Sequence, residues 1–254
     1  MAVNYASDGA VGSVVLDNPP ANSYDAAMMD ELGAAIDAAA NDASTRVVVV
    51  RSASEKFFCA GADVKRFLAN DVDTNMEMIR TAHATLGRIA AADKLFVAWI
   101  AGHALGGGLE IALACDLRYA AEGSYRLGTP EVTLGLLPGN GGTQRLPRLI
   151  GRGPALELLL TGRQVTPDEA HRLGIVGGVL ADEAALDEHV AKLAGLPPLA
   201  VAEIKRAVHA GLDRPLDEGL ALEREGIERL FRSRDATEGL TAFSERRAPE
   251  FVGS

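Results

Sequence analysis

Apolar and polar positions along this chain alternate between short apolar runs and longer amphipathic stretches. The clearest run is Val47-Val48-Val49-Val50, bounded by Arg46 and Arg51; it is the composition of a strand covered on both faces of a sheet. Val11–Asp17 (VGSVVLD) predicts an earlier strand, closed by the turn Asn18-Pro19-Pro20. Between these two, Met28, Leu32 and Ile36 share one face of a helix that Ser23 or Asp25 can cap and Asn41-Asp42 ends. Strand, helix and strand of this length form a right-handed βα unit. The same pattern predicts a helix over Asn75–Ala92, with Met78, Ile79, Leu86 and Ile89 along one side and His83 as a partly buried packing residue.

A buried strand follows from Leu95, and then the glycines Gly106-Gly107-Gly108. The pattern resumes as Leu109-Glu110-Ile111-Ala112-Leu113-Ala114-Cys115, apolar on nearly every side, which marks a core helix with Glu110 as its one charge. Asp116–Ala120 is a short strand, and Gly128–Leu146 is an irregular segment rich in Gly and Pro. Helices are predicted at Pro154–Leu160, at Pro167–Leu173 with Thr166 as cap, and at Glu183–Leu193, with a strand over Ile175–Leu180. Leu196-Pro197-Pro198 is the best boundary. Beyond it Leu216, Leu220, Ile227, Leu230 and Phe231 are spaced as one buried helical face.

A length of 254 residues suffices for one large domain with an appendage. The net charge of −10 argues against nucleic acid or an anionic membrane as the main partner, so an anionic ligand needs a local cluster of Lys and Arg. Cys59 and Cys115 lie in apolar surroundings, with no disulfide framework, which suits a reducing compartment. The N-terminal stretch lacks a signal peptide's basic region, and no run of about 18 apolar residues is free of charge or glycine. The expectation is a soluble, cytoplasmic protein. No GxGxxG fingerprint, GxxxxGK[ST] loop, GxSxG elbow or HExxH is present, and the five histidines have no metal-ligand spacing, so no metal is expected.

Three glycines at a strand-to-helix junction let backbone approach a ligand and leave amides unpaired at a helix start. Such turns also occur merely to let a helix pack closely. Here a carboxylate, Glu110, stands beside those amides in an apolar wall, the combination that proton transfer next to a developing oxyanion requires. A second tight turn, Phe57–Lys65 (FFCAGADVK), has Gly61 for a bend, Asp63 as a cap, and Lys56 and Lys65 on its flanks. Glu131 follows Pro130 in mostly apolar company, a first-turn helix carboxylate by position.

The blocks FFCAGADVK (57–65), AGHALGGGLEIALACD (101–116), TPEVTLGLLPGNGGTQRLPRLIG (129–151) and LTAFSERR (240–247) together resemble the crotonase (enoyl-CoA hydratase/isomerase) superfamily, in the family's order and over most of the chain. The resemblance implies an α/β fold, a spiral of ββα units over residues 1–195 carrying the active site, and a C-terminal helical region over 199–254. It implies an acyl-CoA thioester substrate, with coenzyme A as part of that substrate and no separate cofactor, and trimers paired into hexamers. By motif position the amides of Ala62 and Gly107 form the oxyanion hole, and Glu110 and Glu131 align with the two carboxylates of hydratases. Lys56, Ala60, Ala62, Asp63, Val64, Lys65, Gly107, Phe243 and Arg246 match CoA-binding positions, the tail residues often across a subunit interface. Arg246 stands where Lys is common, keeping the charge but not the geometry. Having both glutamates favours a hydratase; an isomerase or another acyl-CoA lyase or hydrolase is the alternative within the fold. An RNA-binding role is disfavoured by the acidic charge. The segment Phe67–Met78 is the expected variable wall of the acyl pocket.

Overall fold

The computed structural model describes all 254 residues as a mixed α/β fold. Strands β1 (Val3–Asp8) and β2 (Val11–Leu16) form an antiparallel hairpin, and β2 pairs in parallel with β3 (Val47–Ser52). The sheet continues in parallel through β5 (Leu95–Ile100), β7 (Leu117–Ala121) and β9 (Gly178–Leu180). A smaller parallel sheet orders β4 (Phe57–Cys59), β6 (His103–Leu105) and β8 (Leu127–Gly128). Each strand of the large sheet from β3 through β7 is followed by one of the small sheet, and helices return the chain after the first two such pairs. Repeating that unit winds the core. The apolar strand centres explain it: Val48, Val50, Phe96, Ala98 and Ile100 are fully buried between layers, as both-face burial demands.

Helix α1 (Ala26–Asn41) is capped by Asp25, whose carboxylate accepts from the Met28 amide, and it buries Met28, Leu32 and Ile36 as its spacing predicts. Helix α2 (Val64–Ala69) starts at Asp63. Helix α3 (Val72–Ala91) begins three residues before the predicted Asn75 because Asp71 caps it. On α3 the structure corrects His83: the side chain is exposed, and its Nε2 lies 2.6 Å from the Gly139 carbonyl oxygen. Helix α4 (Gly107–Ala114) is buried along its whole length.

Three of the elements that lie outside the sequence expectations show why. Strand β1 is absent from them because its residues are largely exposed and polar, with only Val3 buried. Strand β6 has just three residues, too short for a period to show. Helix α5 (Gly142–Ile150) replaces part of the predicted irregular segment. Its start after Gly141 at φ 108° and its internal Pro147 hide it from propensity, and contacts with α4 and with α6 (Arg152–Thr161) stabilise it.

Helices α7 (Pro167–Leu173) and α8 (Glu183–Ala194) complete the core, and α9 (Pro198–Gly211), α10 (Leu216–Phe231) and α11 (Arg234–Glu245) form the tail. Lys205 of α9 ties this tail to the core. Its ammonium is buried, donates to the Ile89 and Lys94 carbonyls at 2.6 and 2.7 Å, and pairs with Asp116 at 2.9 Å. The tail's apolar stripe is a correction: within one chain it is not a buried face. Leu216, Phe231, Leu240 and Phe243 are 78, 68, 66 and 86% exposed, and Leu220 and Ile227 are exposed as well. No helix is long and apolar enough to cross a membrane.

Candidate active site

Two glycine turns meet at backbone distance. Gly61, at φ 94°, ends the loop after β4, and a Cβ there would lie 2.9 Å from the Leu105 carbonyl oxygen and 3.3 Å from the Gly107 nitrogen. Gly106, at φ 54°, turns the chain from β6 into α4, and a side chain at Gly108 would collide with the Cys59 carbonyl. Only glycine fits such a junction. The amides of Ala62 and Gly107 stand on either side of it, and neither donates a hydrogen bond within the chain.

Glu110 lies one turn into α4 and is 2% exposed. Its Oε1 accepts from the Asn140 and Gly142 amides at 2.7 and 2.6 Å, so the start of α5 holds the carboxylate at a helix N-terminus. Burial pushes its pKa up from 4.5 to about 7, the nearby Glu131 adds to that, and the two amides and Arg145 oppose it. Glu131 sits in the first turn of the 3-10 helix Pro130–Leu134. A Cβ on Gly106 would lie 2.8 Å from its Oε1, and its Oε2 is buried without a partner. Burial raises this carboxyl too. The Gly106 amide donates to the Gly128 carbonyl at 2.8 Å, which ties the Glu131 segment to the glycine turn. The fold therefore gathers Ala62, Gly107, Glu110 and Glu131 around one spot.

The remaining site candidates lie further out. Lys56 and Lys65 flank the Ala62 loop, are exposed, and belong to no ion pair; Lys56 Nζ lies 5.5 Å from the Phe57 ring centre. Ala60 donates its amide to the Ala21 carbonyl, Asp63 caps α2 by accepting from the Lys65 amide at 2.9 Å, and Val64 is 48% exposed. Phe243 and Arg246 are exposed at the end of α11, and no hydrogen bond or ion pair joins that helix to the Ala62 or Gly107 loops. One chain does not bring them to the site.

Three side chains that sequence reasoning passed over complete the centre. Tyr24 is buried, its ring packs on Gly107, and its hydroxyl accepts from Asn140 Nδ2. Arg145 donates to the Asn140 carbonyl at 2.8 Å. The turn chemistry of Pro138-Gly139-Asn140-Gly141-Gly142 was a sequence signal for Asn140 alone.

The sequence profile of the enoyl-CoA hydratase/isomerase family matches residues 6–254. The chain belongs to this family. Among similar family members is YngF of Bacillus subtilis, which carries an enoyl-CoA hydratase/isomerase name. It is 41% identical over 244 residues, 94% of either chain. The solved structure of a Geobacillus kaustophilus enoyl-CoA hydratase superposes with a TM-score of 0.96 at 39% identity, covering 100% of this chain and 97% of that one. That of the Bacillus anthracis enoyl-CoA hydratase gives 0.94 at 37% identity, covering 100% of both. The α/β fold expected from the resemblance is thus the family's fold.

Proposed function

We propose that this chain is an enoyl-CoA hydratase, adding water across the C2–C3 double bond of a 2-enoyl-CoA thioester. The observation that carries the reading is the convergence of two unspent amides, Ala62 and Gly107, with two partly dehydrated carboxylates, Glu110 and Glu131. As water attacks C3, negative charge moves onto the thioester oxygen. Two preorganised amides stabilise it there, and each such donor contributes about 3 kcal/mol. The attacking water loses one proton and C2 gains one. Carboxyls raised above their ordinary value can both accept and return a proton, and Glu110 and Glu131 share that task.

The CoA portion is read onto Ala60, Ala62, Asp63, Val64 and Gly107, with Lys56, Lys65 and Arg246 as its cationic partners. The free charges of these three in an acidic protein support that reading. Phe243 and Arg246 reach a site only if it belongs to a neighbouring subunit, so the active form is a trimer or a pair of trimers. The exposed tail stripe and an apolar groove beside Glu131, lined by Val132, Leu136, Leu137, Leu156 and Leu160, provide surface for such contacts. Glu131→Gln separates hydration from isomerisation. The variant should lose hydration of crotonyl-CoA by orders of magnitude with its KM little changed; hydration at the wild-type rate would remove Glu131 from the mechanism.

A further inference from the structure

Tyr24 touches both glycine turns and the Asn140 turn. Its backbone brackets Ala62: the Tyr24 amide donates to the Gly61 carbonyl at 3.0 Å, and the Asp63 amide donates to the Tyr24 carbonyl at 2.9 Å. Both neighbours of Ala62 are thereby spent while the Ala62 amide stays free. The phenol ring lies against Gly107, so closely that a side chain there would collide with it. The hydroxyl accepts from Asn140 Nδ2, the one side-chain bond Asn140 makes, since its Oδ1 is buried without a partner. Asn140 in turn donates its amide to Glu110 and is clasped at its carbonyl by Arg145.

We propose that Tyr24 is a positioning residue of this centre, its ring backing the Gly107 amide and its hydroxyl, through the Asn140 side chain, fixing the turn that holds the Glu110 carboxylate. This rests on the hydratase reading for its kinetic consequence alone. Removing the hydroxyl leaves the Asn140 side chain buried with no partner, so the turn relaxes and the Asn140 amide withdraws from Glu110. A carboxylate that loses a donor becomes harder to ionise. The other groups facing Glu110 are Glu131, which disfavours its charge, and Arg145, which favours it; Tyr24 itself faces both carboxylates and Cys59. Glu131 and Arg145 keep their charges when the phenol becomes a phenyl ring.

The test is Tyr24→Phe, with Asn140→Ala as the second variant in case the first does not fold. The Glu110 carboxyl is titrated by NMR in protein labelled with 13C at the glutamate carboxyls, and Glu110→Gln assigns the signal. In Tyr24→Phe the midpoint should rise by about half to one pH unit, while a role in stability alone would leave it in place. With crotonyl-CoA, kcat should fall about tenfold with KM within about twofold, and the double variant should be no worse than either single one. An unmoved or lowered midpoint overturns the proposal, as do losses of kcat that add between the two variants. The titration needs no turnover, so a wild-type protein inactive on crotonyl-CoA would count against the hydratase reading and leave this proposal still decided by the midpoint.

Discussion

Glu110 makes the cost of the candidate site measurable in the folded state. Its carboxyl has a pKa of about 7 in the native protein against 4.5 for its ordinary value, because burial outweighs the two amides that hold it. The sign follows directly. Below pH 4.5 the group is protonated in both states and carries no penalty. As pH rises toward 7 the unfolded chain releases its proton while the native state keeps it, so stability falls, and above pH 7 the full penalty is present. A shift of this size corresponds to about 3 kcal/mol. Glu110→Gln keeps an oxygen for the Asn140 and Gly142 amides and removes the charge. Relative to wild type, the variant should therefore gain about 3 kcal/mol between pH 4.5 and pH 8 while losing activity. Urea unfolding of both proteins at pH 5, 6, 7 and 8, at fixed concentration, measures the difference. A difference that stays flat across that range would show that Glu110 ionises as freely in the native protein as in the unfolded chain.

Lys205→Ala removes the buried ammonium from Asp116 and leaves that carboxylate the Phe96 amide and His209 alone, and urea unfolding should show a loss of about 3 kcal/mol. Lys56→Ala, Lys65→Ala and Arg246→Ala should each raise KM for a CoA ester several-fold with kcat nearly unchanged, more at low salt than at high. No change in any of the three would displace the CoA site. Light scattering of the full-length protein should return a trimer or hexamer mass, and a chain truncated after Pro198 should return neither. A monomer mass for the active protein would exclude a shared site.

The sheet and most core helices were legible because their spacing is local: Val47–Val50 and the Met28, Leu32, Ile36 stripe each define an element by themselves. The glycines at 106–108 announced a close approach, yet what approached could not be read, since the Cys59 carbonyl and Tyr24 come from elsewhere in the chain. Helix α5 was hidden for a related reason. Gly141, Gly142 and Pro147 are poor helix residues, and the helix exists because its flank packs on α4 and α6 and its first amides hold Glu110. The tail shows the opposite error. Its stripe of Leu216, Leu220, Ile227 and Phe231 was correctly periodic, but periodicity does not say which surface covers it, and in one chain none does.

Incubation of the wild-type protein with crotonyl-CoA in 18O-labelled water tests the central claim most directly. Hydration predicts loss of the conjugated enoyl absorbance and a 3-hydroxyacyl-CoA carrying one 18O atom at C3. Crotonyl-CoA recovered unchanged, while a 3-enoyl-CoA is converted to its 2-enoyl isomer without taking up label, would contradict it.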